Sequence, residues 1–208
     1  MPELGSQDVL DSLRLSQQTL VPQASADWTR RAGTLDWGCR RTLDHLADGQ
    51  SAYAGRLATR AQETLPAMRN GNPGQSVEDL LRVVNAASHM VSRLIEGLPA
   101  DARVHHAAGM ADASGYAAMA CTELLVHTFD ITQGLGVGFQ PPAEVCTHIL
   151  ARLFPWVTDA KDPWPALCWV SGRISLPGRD DIEADWWWQC APLSEWDGTI
   201  RKRPASPA

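Results

Sequence analysis

Lysine is almost missing from this sequence: Lys161 and Lys202 are the only two among 18 basic residues, which face 24 acidic ones for a net charge of −6. A surface of that sign gives no sequence-independent grip on nucleic acid, so no nucleic-acid partner is expected. Long apolar runs are also missing. None approaches the roughly 20 residues of a membrane-spanning helix, and no membrane association is expected. Met1-Pro2-Glu3-Leu4 opens without a basic segment followed by an apolar stretch, which argues against a secretory signal and for a cytoplasmic protein. In that compartment the five cysteines (Cys39, Cys121, Cys146, Cys168 and Cys190) are expected as thiols. No two of them form a C-x-x-C pair, which excludes a zinc ribbon or a thioredoxin-type motif. Internal repeats and low-complexity segments are absent as well.

What is present is an ordinary globular balance, 44% hydrophobic and 20% charged over 208 residues, enough for one large domain or one domain with a small appendage. Up to about residue 160 the apolar positions recur at helical spacing. Val9, Leu10, Leu13 and Leu20 form a stripe over Ser6 to Leu20, and Pro22 ends it. A second helix is expected from about Gly38 to Ala61, burying Leu43, Leu46, Ala47, Ala54 and Leu57. Asn70-Gly71-Asn72-Pro73-Gly74 is a break, after which Ser76, Glu78 and Asp79 start a third helix that runs to Gly97. A fourth, from about Ala111 to Gln133 with a stop at Gly134, is apolar nearly all round and belongs at the centre of a bundle. Pro141-Pro142 opens a fifth, with Val145, Ile149, Leu150, Leu153 and Phe154.

Composition changes after Pro163. Seven of the nine tryptophans lie from Trp156 onward. Ala166–Ile174 and Ala184–Cys190 read as two strands joined by Leu176–Asp181. The expected organisation is mainly α: a helical bundle over residues 1–160, and a Trp-rich β-hairpin extension with a tail over 161–208. Arg201-Lys202-Arg203, followed by Pro204–Ala208, reads as a frayed end.

The residues that carry chemistry sit in the fourth expected helix. Glu123, His127 and Asp130 follow one another at i, i+4 and i+7 and share a face. An inward carboxylate there is costly unless paired, and a divalent ion bound by a Glu and a His one turn apart removes that cost. A simple Glu–His ion pair is the alternative. His45 lies at the edge of the apolar stripe of the second helix. One histidine there and a Glu/His pair elsewhere make an open three-ligand site with one net positive charge on a divalent ion, which attracts hydroxide or thiolate.

Two segments resemble a known family. Leu35-Asp36-Trp37-Gly38-Cys39-Arg40-Arg41-Thr42-Leu43-Asp44-His45-Leu46-Ala47 is similar to the Trp-to-His-Leu segment that opens the second helix of DinB-like metalloproteins. Glu123-Leu124-Leu125-Val126-His127-Thr128-Phe129-Asp130-Ile131 is similar to the Glu-x-x-x-His-x-x-Asp segment of their mycothiol-dependent maleylpyruvate isomerase branch. The chain departs from the family at Gly38-Cys39, where a Thr usually follows the Trp, and at Thr128-Phe129, where Gly-Trp is usual. The resemblance implies a DinB-like antiparallel four-helix bundle, here with an extra helix and a small β-containing appendage, that holds zinc or another divalent ion at one end. It implies His45, Glu123 and His127 as ligands and mycothiol or a similar small thiol as cofactor.

Asp130 is placed to orient an imidazole or receive a proton, as a catalytic candidate. Tyr53, Tyr116, Trp186 and Trp188 are candidates to line a substrate pocket, with packing as the plainer role for each. His89 and the pair His105-His106 have no partner at ligand spacing and read as structural or exposed. The functional expectation is a metal-dependent thiol transferase or isomerase that acts on a small electrophilic metabolite. The alternatives are a thiol-independent hydrolase or lyase using metal-activated water, and a metal-stabilised binding protein without catalysis. Small molecules are the expected partners, with a homodimer as one allowed state.

Overall fold

Apolar side chains at i, i+4 and i+11 bury one face of the first helix, α1 (Ser6–Leu20), through Val9, Leu13 and Leu20. Asp8 caps its start by accepting the Gly5 N–H at 2.8 Å. A computed structural model describes residues 4–203 of the chain. Met1–Glu3 and Pro204–Ala208 lie outside the described residues. Arg201-Lys202-Arg203, expected to fray with that end, is instead held: the Trp187 N–H donates to the Arg201 carbonyl at 3.1 Å and the Arg203 N–H to the Asp185 carbonyl at 2.6 Å. Helix α2 (Cys39–Thr59) starts after Gly38 and ends at Arg60, whose φ of 47° is left-handed. Helix α3 (Val77–Glu96) is capped by Ser76, which accepts the Asp79 N–H at 3.1 Å, and it stops at Gly97 as its sequence indicates.

Helix α4 (Ala113–Leu135) is buried on nearly every side, which explains its lack of a polar stripe. Asp112 caps it by accepting the Gly115 N–H at 2.7 Å. It runs past the expected stop at Gly134 and ends at Gly136, in the left-handed region at φ 72°. Gly134 has another reason to be glycine. A Cβ there would collide with the Arg31 carbonyl and the Cys39 sulfur, which bring the loop before α2 against α4. Helix α2 packs on α3 and α4, and α1 packs on the same two. Helix α5 (Ala143–Leu153) lies on α4, and α6 (Pro163–Val170) on α5. The result is a mainly helical bundle with six α-helices and one small sheet among the described residues.

That sheet is not where the sequence suggests. Ala166–Ile174, expected as a strand, is α6 followed by a turn. Pro163 opens this helix, and its residues from Ala166 to Val170 are all buried. A short apolar run buried all round has no period to tell helix from strand. Ala184–Cys190 forms no strand either; only an isolated bridge joins Trp186 to Lys202. The sheet is instead a hairpin, β1 (Val104–His106) antiparallel to β2 (Gly109–Ala111), with His106 opposite Gly109 and a two-residue turn between them. Gly109, at φ 135°, takes a conformation that an L side chain would strain.

The Trp-rich segment is bolted down. Arg152 of α5 donates to the Gln189 and Cys190 carbonyls, both at 3.0 Å, and pairs with Asp112 at 2.6 Å. Trp164, Trp169 and Trp188 join the same core cluster as Leu43, Met119 and Leu124. No helix among the described residues is long and apolar enough to cross a membrane.

Candidate metal centre

Helical spacing does what the sequence requires of it. Glu123 and His127 stand one turn apart on α4, where Glu123 Oε2 lies 3.1 Å from His127 Nε2. From α2, His45 brings its Nε2 to 3.9 Å from the same carboxylate oxygen. One potential ligand atom from each of the three falls within 4.8 Å of the others. The imidazoles of His45 and His127 meet edge to face, with centroids 5.1 Å apart, and Trp37 stands edge-on to His45 at 5.0 Å.

The charges of this cluster suit a cation. Glu123 Oε2 is enclosed and accepts no hydrogen bond, although His127 is close. A buried carboxylate oxygen in that state carries a desolvation cost that only a nearby positive charge offsets. Burial pushes the Glu123 carboxyl up, but the imidazoles of His127 and His45 outweigh it and hold it below the usual range. Burial pulls His127 down, but the carboxylates of Asp130 and Glu123 outweigh it and raise it. His45 is lowered by burial, with the Glu123 carboxylate opposing. Two nitrogen donors and one carboxylate fit a borderline divalent ion such as zinc. The residues present therefore fit a metal.

Behind the triad, Asp130 Oδ2 lies 3.0 Å from His127 Nδ1. With the proton on Nδ1 donated to Asp130, the Nε2 lone pair faces Glu123 and His45. Arg173, just beyond α6, fixes Asp130 in turn by donating from Nε at 3.3 Å and from Nη2 at 3.1 Å. Asp130 is buried, and its carboxyl, pushed up by burial, is carried below its ordinary value by His127 and Arg173.

Two adjoining cavities open from the triad, and both are lined by His45, Glu123, Trp186, Trp188 and Arg203. One of about 370 Å³ extends toward Trp37 and Arg173. The other, about 320 Å³, extends toward Tyr53, His106 and Trp187. Of the pocket candidates, Trp186, Trp188 and Tyr53 thus lie on cavity walls. Tyr116 is fully buried, lines neither cavity, and donates its hydroxyl to the His105 carbonyl at 2.6 Å. The structure also brings in Arg173, which had no reading from the sequence, together with His106, read there as structural or exposed, and Arg203, read there as part of a frayed end. Nothing local marks them, because each reaches the site from a segment remote from both motifs. For His106 the one available signal is the alternation that sends Val104 and His106 inward while His105 stays at the margin.

The helical bundle gathers two histidines and a glutamate between α2 and α4, and the family model that the chain matches is of the DinB-like class. The family model for the mycothiol maleylpyruvate isomerase N-terminal domain matches residues 15–132, more than half of the chain, and the chain belongs to that family. No curated protein and no solved structure matches it.

Proposed function

We propose that the chain is a metal-dependent enzyme that uses a small thiol of the mycothiol type for isomerisation of, or sulfur transfer to, a small electrophilic metabolite. The observation that carries this reading is the convergence of His45, Glu123 and His127 around an enclosed carboxylate oxygen that accepts no hydrogen bond. Membership in an isomerase-related family supports it, as does the packing of α1 to α4, which fits a four-helix bundle.

His45, Glu123 and His127 hold the ion, most readily zinc. A divalent ion in that position supplies the positive charge that lowers a thiol's pKa and makes the nucleophilic thiolate available at neutral pH. Asp130, held by Arg173, keeps the His127 proton on Nδ1 and its lone pair on Nε2. Trp186 and Trp188 wall the space over the triad and exclude water from a reactive thiolate. Reversible addition to a conjugated double bond leaves a single bond free to rotate, and expulsion of the thiolate restores the alkene as the other isomer. Attack on an electrophile without expulsion leaves a sulfur conjugate.

Elemental analysis of the purified chain beside His45→Ala and His127→Ala tests the site. One metal per chain is expected, lost in both variants; stoichiometric metal in either variant removes the site assignment. Cobalt substitution then tests the thiol. A new thiolate-to-cobalt absorption on adding a small thiol is expected, and a spectrum unmoved by any thiol favours the hydrolase or lyase alternative.

A further inference from the structure

The cavity that extends away from Trp37 has a polar pair on its wall with no task in the metal site. His106 closes β1, where the Ala108 N–H donates to its Nδ1 at 3.1 Å. That bond leaves the ring proton on Nε2. Tyr53 comes from α2, two turns past His45, and its ring centroid lies 5.8 Å from that of His106. Tyr116 stands edge-on to both rings and spends its own hydroxyl on the His105 carbonyl, so it braces the hairpin beneath them. Among the described residues neither the Tyr53 hydroxyl nor His106 Nε2 has a hydrogen-bond partner. Neither is sealed off like the indole nitrogens of Trp187 and Trp188. Both side chains are nevertheless more than nine-tenths buried and line the cavity of about 320 Å³ shared with His45 and Glu123.

Buried polar groups are almost always satisfied. Two donors with no protein acceptor, left open on the wall of one cavity, are free to pair with an acceptor that arrives with a ligand. We propose that Tyr53 and His106 form an uncharged two-donor subsite for a carbonyl-type oxygen of a ligand whose other end lies at His45, Glu123 and His127. The inference rests on the metal-site reading. Charge supports it. Burial, with the Arg56 guanidinium, pushes His106 down to about 4, so the ring is neutral at physiological pH. Burial and the Glu123 carboxylate push the Tyr53 hydroxyl well above its ordinary value, so it stays a donor. When a thiolate adds to a carbonyl-conjugated alkene, one carbon–sulfur bond forms and a π pair moves onto the carbonyl oxygen; expulsion reverses both. Two fixed donors at that oxygen stabilise the charge while it is there.

The test uses the cobalt-loaded chain and two probes of matched length, 1-mercapto-2-propanone and 1-propanethiol, with affinities read from the thiolate-to-cobalt band. The ketone-bearing thiol is expected to bind more tightly. That preference should fall about three- to tenfold in Tyr53→Phe and in His106→Leu, as the loss of one neutral hydrogen bond implies. It should return in part in His106→Gln, whose amide keeps a donor near Nε2, and cobalt content should stay at one per chain throughout. Equal affinity for the two probes, or a preference that survives both Tyr53→Phe and His106→Leu, overturns the subsite. Failure of both probes to bind the unaltered protein counts against the thiol reading instead. Nitrogen-15 spectra of the imidazoles then judge the subsite alone: a His106 ring protonated on Nδ1, or on both nitrogens, at neutral pH overturns it.

Discussion

Asp130 is the residue on which the geometry of the triad turns. It accepts from His127 on one side and from Arg173 on the other, at a site nearly closed to water. Replacing such a partner of a metal-binding imidazole typically weakens metal binding 10- to 100-fold, roughly 1.4–2.7 kcal/mol. Asp130→Asn is expected to lower zinc affinity by about that factor in a competitive chelator titration, with a smaller loss in Arg173→Met. An affinity unchanged in Asp130→Asn would mean that His127 holds its orientation without help. The contrast between these residues shows what a sequence reveals at this scale. Glu123, His127 and Asp130 were legible because helical periodicity alone puts them on one face. His45 was legible as a histidine at the edge of the α2 stripe, and the second motif strengthened that reading. Arg173 and His106 were not, since their partners lie on other segments and no local pattern records a tertiary contact.

Elements position these side chains, and the loop before α3 shows how. Arg69 reaches back to α2 and pairs with both Asp44 and Asp48, one on each side of His45. The Asn72 and Gly71 N–H groups donate to the same two carboxylates, each at 2.9 Å. The break read at Asn70–Gly74 is therefore also an anchor, because its Gly71 and Asn72 N–H groups are turned to the α2 face. Removing one member of a buried ion pair costs about 3–5 kcal/mol. Since Asp48 is partly open to solvent, Arg69→Met is expected near the low end of that range in urea unfolding. Burial raises the Asp44 carboxyl, but the Asn72 N–H and Arg69 outweigh it and bring it below its ordinary value. A depressed carboxylate contributes fully above its unfolded pKa of roughly 4 and loses that contribution as pH falls through the folded value. Acid unfolding should therefore be steeper in the unaltered chain than in Asp44→Asn; equal slopes would remove Asp44 from the account. Gly115 raises the same question at the start of α4, where a Cβ would strike the Cys190 carbonyl and the Arg152 guanidinium. Gly115→Ala is expected to cost about 1–3 kcal/mol by overpacking and to loosen the segment that carries Trp186 and Trp188. Tryptophan fluorescence of the native state checks this, and an unshifted spectrum at full stability would show that the segment is held elsewhere. Helices with one apolar stripe, α1 and α3, were legible almost to the residue. The Trp-rich segment was not, because its order comes from Arg152 and the core rather than from any period of its own.

At the scale of the whole molecule the triad joins parts of the chain far apart in sequence. His45 belongs to α2 and Glu123 and His127 to α4, while Asp130 extends the network through Arg173 to the segment after α6. An ion bound by all three ligands therefore cross-links α2 and α4. An unfolded chain cannot hold the three groups together, so binding shifts the folding equilibrium by mass action. The shift is about 4 kcal/mol when free metal exceeds its dissociation constant a thousandfold. For a chain of this size each kcal/mol moves the melting temperature by roughly 2–4 °C. Zinc in that excess is thus expected to raise the midpoint by about 8–16 °C over the metal-free protein, and a chelator should reverse it. His45→Ala separates the site from non-specific effects, because it removes the α2 ligand from a half-exposed position while the buried α4 pair and the core stay intact. In that variant the zinc-dependent rise should shrink to a few degrees at most. A full rise in His45→Ala would mean that α4 alone, or a different set of side chains, binds the ion, and the link between the two helices would have to be abandoned even if the metal itself were real.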